Sequence, residues 1–280
     1  MKRILSVVLT VLLALSGVCA LAEGITVAVP NDTTNEARAL LLLEANGIIK
    51  LKEGAGITAT KEDIEENPLG IEFQEVEAAM VPNVLADVDY AIINNNYAID
   101  AGLKPTRDSF LIEGAGSFYA NVIAVKAGNE EDPATKALVA AVESQQVADF
   151  ITATYDGAVV STVENPTDGY DADVDYGALA GTTITVAASP APHAQILEIV
   201  KEILAAKDVK VEIIEYSDYV QPNMVVDSGE VFANYFQHQP YLDDFNANNG
   251  TEVVSVSAPH VEPMALYGGK QADLTALTVG

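Results

Sequence analysis

Strand-length apolar runs alternate with helix signals along this chain, stop between Val163 and Gly181, and then begin again. Few folds are open to a chain with that rhythm. Repeated strand–helix units bury a sheet beneath helices, which predicts an α/β fold with mainly parallel sheets. In the first block, Ile25–Val29 reads as a buried strand and Asn31-Asp32-Thr33 as a turn. A helix follows, with Thr33 and Glu36 spaced as a capping box, Leu40–Leu43 facing a core, and Asn46-Gly47 as its stop. Tyr90–Ile93 and Asn121–Val125 read as further buried strands. Asp132-Pro133 opens a helix that runs to about Ser144, with Asp as cap and Pro in the first turn.

The stretch Val163–Gly181 holds Asn165-Pro166, Asp168-Gly169, several acids and little apolar periodicity. It is predicted to be a surface linker lying outside both cores. The alternation then restarts. Thr183–Ala187 reads as a strand, and His193–Ala206 as a helix with Ile196, Ile199, Val200, Ile203 and Leu204 on one stripe. Val209–Glu215 is a strand, Val231–Ala233 a short one, Gln239–Asn248 a helix, and Thr251–Val256 and Val261–Leu266 two more strands.

The first residues read as a signal for export. Lys2 and Arg3 precede the apolar run Ile4–Leu15, and Ala20-Leu21-Ala22 supplies a small-residue cleavage site, so residues 1–22 form a signal peptide. The run is too short for a comfortable membrane span. The single cysteine, Cys19, lies inside this segment and is lost on cleavage after Ala22. Lipid attachment at Cys19 competes, but Val18 intervenes after Leu15-Ser16-Gly17 and spoils the spacing. The protein is expected in the periplasm or at the cell surface, with membrane association left open.

Charge removes other classes. With 14 Lys+Arg against 41 Asp+Glu the formal balance is −27, a surface that repels nucleic acid and anionic lipid. No Gly-rich phosphate loop, G-x-S-x-G or cysteine nucleophile is present. His193, His238 and His260 are scattered, none with a second histidine at metal-ligand spacing, so no metal, cofactor or enzymatic activity is expected.

Two clusters carry the binding chemistry. Aromatic residues make up only 6% of the chain, yet Tyr219, Tyr235, Phe236 and Tyr241 gather within Ser217–Asn223 and Asn234–Asp243, beside His238. Aromatic walls with polar tips suit a small ligand with an apolar tail, and a thioether gains from sulfur–aromatic contact. A plain core cluster is the alternative. The second cluster, Pro30–Arg38, places an arginine in the first turn of a helix straight after a strand, where guanidinium and helix N-terminus together suit a carboxylate. The alternative is an exposed Arg38 paired with Asp32 or Glu36. Asn94 ends one buried strand and Asn121 begins another, positions from which side chains reach a cleft.

Together these segments resemble the methionine-binding lipoprotein family, the NlpA-type solute-binding proteins of ABC importers. Val29–Asp32 through Arg38–Leu43 looks like the family's arginine helix. Pro192-His193-Ala194, Ser217–Asn223, Phe236–Asp243 and Val261-Glu262-Pro263-Met264 look like its other signatures. The order departs from the family. There the Pro-His-Ala and aromatic segments come first and the arginine helix follows Glu-Pro-Met. Here the blocks are exchanged, which reads as a circular permutation in which 163–181 joins the family's usual termini and Glu23 and Gly280 lie close together. Ala37 also stands where the family usually has glycine.

The resemblance implies a two-lobed, type II periplasmic-binding-protein-like fold with the ligand cleft between lobes. One lobe would comprise 23–120 plus 266–280 and the other 121–265, with hinges near Tyr119–Asn121 and Met264–Leu266. Arg38, helped by Asn94 and Asn121, would hold the ligand carboxylate, and Tyr219, Phe236, His238 and Tyr241 would enclose its side chain. The implied partners are methionine and the permease and ATPase subunits of an ABC importer, with the chain itself monomeric. Capture of another small amino acid, a secreted enzyme on the same fold, and an adhesion protein that has lost its ligand are the competing readings.

Overall fold

The computed structural model describes residues 24–114 and 119–278. The expected signal peptide, Cys19, Glu23 and Gly280 lie outside the described residues. In chain order the strands are β1 (Thr26–Pro30), β2 (Lys50–Leu51), β3 (Ile64–Glu66), β4 (Glu72–Val76), β5 (Tyr90–Ile93), β6 (Ser109–Ile112) and β7 (Ala120–Lys126). They continue with β8 (Val160–Ser161), β9 (Thr183–Ala188), β10 (Lys210–Glu215), β11 (Ala233–His238), β12 (Val253–Val261) and β13 (Ala265–Gly268). Two sheets organise the molecule. The first has the order β4-β1-β5-β13-β6 and the second β10-β9-β11-β7-β12-β8, while β2 and β3 form a small separate ribbon.

Both large sheets are covered on both faces, and the period-2 alternation of strand side chains shows it. Along β5, Tyr90 and Ile92 face a core that holds Leu40, Leu43 and Leu266. Ala91 and Ile93 face the opposite core with Ala28, Val81 and Tyr267. Along β7, Ile123 and Val125 pack with Ile184, Ile196 and Leu204. Val122 and Ala124 pack with Val226 and Leu242 on the other side.

The sheets are mixed rather than mainly parallel. β1 is parallel to β4 and β5, but β13 runs antiparallel to β5 and β6. β9 is parallel to β10 and β11, but β7 runs antiparallel to β11 and β12. The reversed strands β7 and β13 are those reached directly from the other sheet, after β6 and after β12, so they enter against the direction set by the strand–helix units.

Several boundaries differ from expectation. Helix Thr33–Ala45 is capped by Asp32, whose side chain accepts from Asn35 N, and not by Thr33. Arg38 therefore sits in the second turn. The helix replacing His193–Ala206 begins at Gln195, after a tight Pro190–Ala194 turn that buries His193. The strand expected at Val231–Ala233 is β11, six buried residues that include the aromatic pair. Thr251–Val256 and Val261–Leu266 are replaced by the longer β12 and a break at Glu262–Met264 before β13.

The segment 163–181 is a fitted strap and not a loose linker. Val174 is buried in the core beside β7, with Tyr170, Tyr176 and Leu179 packed against it. Tyr170 OH donates to Ile203 O at 3.0 Å, and Lys207 sits 4.4 Å from the Tyr170 ring centroid. Gly169 has φ +98°, and a Cβ there would come 2.7 Å from Ile203 Cγ2. Polar spacing hid these few aromatic anchors.

Candidate ligand-binding site

β1 and β5 run parallel and end, at Pro30 and Ile93, beside the segment that carries Arg38 and the asparagine run 94–96. β9 and β11 end at Ala188 and His238 on the facing side. Side chains beyond the carboxyl ends of parallel strands line the natural crevice of an α/β sheet. A small pocket, with a cavity of about 20 Å³, lies between the sheets there. Arg38, Asn94, Asn121, Tyr219, Phe236, His238 and Tyr241 all line it. So do Asn35, Asn95, Asn96, Gln237 and Glu262, which sequence reasoning did not single out as site residues.

The arginine is buried and firmly held. Arg38 Nε donates to Glu113 Oε1 at 2.8 Å and Nη2 to Glu113 Oε2 at 2.5 Å. Nη2 also donates to the Glu262 carbonyl at 2.7 Å, and the guanidinium lies 4.4 Å from the Tyr119 ring centroid. Pairing with Asp32 or Glu36 is not what holds it. Nη1 remains as the edge that no described residue occupies.

Acceptors gather nearby. Asn94 Nδ2 donates to Asn35 Oδ1 at 2.7 Å, while Asn94 Oδ1 and Asn95 Oδ1 are buried without a hydrogen-bond partner among the described residues. The Glu262 carboxylate accepts from His260 Nε2 at 2.7 Å and His193 Nε2 at 3.0 Å. Asn121 Oδ1 also lies 3.1 Å from His193 Nε2. Burial opposes ionisation of Glu262, but the two imidazoles outweigh it and hold the carboxyl well below the usual range. Burial pushes His260 down, so its imidazole serves as a neutral donor, with Tyr235 OH bonded to its Nδ1. Folding thus gathers two of the histidines that looked scattered in the sequence.

The opposite wall is aromatic. Tyr219 stands 5.8 Å from Phe236 and 5.6 Å from Tyr241, centroid to centroid, with Tyr97 of the first-sheet side 4.9 Å away. Tyr219 OH donates to Asn96 Oδ1 at 2.6 Å, and Tyr97 OH donates to Ser217 O at 3.1 Å. Polar contacts therefore tie the two sides together around the pocket.

The fold is thus two α/β sheets with a small polar-and-aromatic pocket between them. The profile of the NlpA lipoprotein family matches residues 14–163 and 184–280, and the chain belongs to that family. Membrane lipoprotein TpN32 of Treponema pallidum is 46% identical over 138 residues, 49% of this chain and 52% of that protein. D-methionine-binding lipoprotein MetQ of Salmonella typhimurium is 39% identical over 142 residues, 50% of this chain and 52% of that protein. A solved nutrient-binding protein from Burkholderia cenocepacia bound to methionine is 49% identical, with a TM-score of 0.48, covering 50% of this chain and 59% of that one. The chain spans about half the length of the curated relatives it matches.

Proposed function

We propose that this chain is an exported solute-binding protein, not an enzyme, that captures methionine and delivers it to the permease and ATPase of an ABC importer. One observation carries the reading. The pocket offers a guanidinium edge at Arg38 and, nearby, the unpaired acceptors Asn94 Oδ1 and Asn95 Oδ1. Donors for a carboxylate and acceptors for an ammonium, beside an aromatic wall, complement a zwitterion with an apolar tail. The ionisable groups Arg38, Glu262 and His238 are each fixed by protein partners, which suits binding rather than proton exchange. The name of the MetQ relative supports methionine over other amino acids.

In this reading the lobes are 23–120 plus 266–280 and 121–265, with hinges near Tyr119–Asn121 and Met264–Leu266, and the chain is a circular permutation of its family. The family profile matches two blocks on either side of 164–183, whereas each collinear relative follows only about half the chain, as exchanged blocks require. Ile25 and Leu277, near the two described ends, pack into the same core, as neighbouring new termini would. A thermal-shift screen on protein stripped of bound ligand tests the function. Methionine raises Tm by mass action, while aspartate and lysine leave it unchanged. A charged amino acid giving the largest shift would overturn the assignment.

A further inference from the structure

The chain leaves the first sheet after Ile112, at the end of β6, and returns to it between Val261, at the end of β12, and β13. Glu113 opens the first connection. Its backbone N donates to Met264 O at 2.9 Å, and its Oε2 accepts from Met264 N at 2.9 Å, so this one residue fastens the first connection to the second. The same carboxylate takes Nε and Nη2 of Arg38, and Nη2 reaches on to the Glu262 carbonyl in the second connection. Tyr119, at the far end of the first connection, lies against the guanidinium. A planar guanidinium has a fixed fork of donors, and a bidentate acceptor on one edge determines where the other edge points. Arg38 is 3% exposed and Glu113 13%, so solvent does little to loosen the pair.

We propose that Glu113 is a positioning residue for ligand capture: it aims the Nη1 edge of Arg38 into the pocket while it fastens the arginine beside Met264 and the Glu262 carbonyl. This rests on the reading of Arg38 as the carboxylate clamp. Glu113 does not touch the ligand, and its effect passes through Arg38.

The test compares methionine with methioninol, which lacks the carboxylate, by calorimetry on full-length protein stripped of ligand. Wild type, Arg38→Ala, Glu113→Gln and Glu113→Asp are measured, with the ligand-free Tm of each as the check on folding. Arg38→Ala abolishes the preference for methionine over methioninol. Glu113→Gln weakens methionine roughly 10- to 100-fold, as loss of one partner of a buried charge pair does, while methioninol binding changes little. Glu113→Asp, which keeps the charge but shortens the reach, restores part of the preference and remains the measurable variant should the Gln form not fold. If Arg38→Ala keeps the preference, the clamp reading itself fails. If Arg38→Ala loses it while both Glu113 variants keep it, or if Glu113→Gln binds methionine more tightly, the positioning role is overturned and the clamp reading stands.

Discussion

The imidazole of His238, at the end of β11, donates across the pocket from Nε2 to Asn35 Oδ1, 3.1 Å away on the arginine helix. Its tautomer is set by the next residues along, because Nδ1 accepts the Tyr241 backbone N–H at 3.1 Å and caps helix Gln239–Asn249. One ring therefore starts a helix and ties the two sheets. His238→Asn can keep the cap but not the reach, so it loses about 0.5–1.5 kcal/mol of stability. His238→Ala loses roughly a further 1 kcal/mol with the cap. Urea denaturation of ligand-free protein separates the two, and equal midpoints for both variants and wild type would show that the bond is idle.

The aromatic wall predicts sensitivity to the ligand's sulfur. Phe236 stands 6.1 Å from Tyr241 and 5.8 Å from Tyr219, a setting for sulfur–ring contact. Norleucine, which replaces sulfur by a methylene, is expected to bind about 0.3–1.5 kcal/mol more weakly than methionine. Phe236→Ala weakens both ligands and narrows the gap between them. Calorimetry showing norleucine as the tighter ligand rules out this contact.

Acid weakens the fold in two stages. Burial depresses His238 and His260 below their ordinary value of 6.5, and the histidine contacts of Glu262 depress it below 4.5. A depressed group adds stability that is complete above its unfolded pKa and is lost as pH falls. Ligand-free stability is therefore level near pH 7.5 and declines below about 6.5, at up to about 1.4 kcal/mol per pH unit for each histidine kept neutral. The Glu262 contribution follows below 4.5. Asp32 opposes this only in the acid range, since burial raises it from 3.8. Denaturation midpoints at pH 7.5, 6.5 and 5.5 check the first stage. His260→Gln should flatten the slope, and an unchanged slope would remove His260 from the account.

The strap should behave as part of the second core. Gly169→Ala forces a side chain onto a positive φ and against Ile203, a combined cost of about 1–3 kcal/mol. Tyr176→Ala also destabilises, because the ring packs on the core and its OH accepts Asp171 N–H at 3.0 Å. Methionine affinity should not move in either variant, since neither Gly169 nor Tyr176 lines the pocket. A variant with unaltered Tm would restore the picture of an inert linker.

Much of the sheet scaffold was legible because both faces of the inner strands are apolar. Tyr90–Ile93 and the helix starting at Thr33 read directly from their runs and punctuation. The pocket residues are legible where a polar group follows an apolar strand, as with Asn94, or where aromatic residues gather, as around His238. Glu113 and Glu262 could not be weighed this way, since their meaning comes from Arg38, which lies 75 and 224 residues away in the chain. β12 was cut short on paper because Ser255, Ser257 and Pro259 interrupt its apolar pattern. The strand continues through shifts of register against β7, and the Pro259 carbonyl accepts from Thr162 N. In the strap, four apolar anchors, Tyr170, Val174, Tyr176 and Leu179, sit among many acids and give no periodicity to detect.

The place of β13 bears on when this protein can fold. β13 lies between β5 and β6 and hydrogen-bonds to both, yet it comprises residues 265–268 of 280. Among the described residues β6 pairs with no other strand of its sheet, and the second sheet likewise waits for β12. The first sheet cannot close until residues 265–268 reach it, and the second waits for β12, so β5 and β6 stay apart until a strand about 150 residues downstream arrives and long-range pairing comes last.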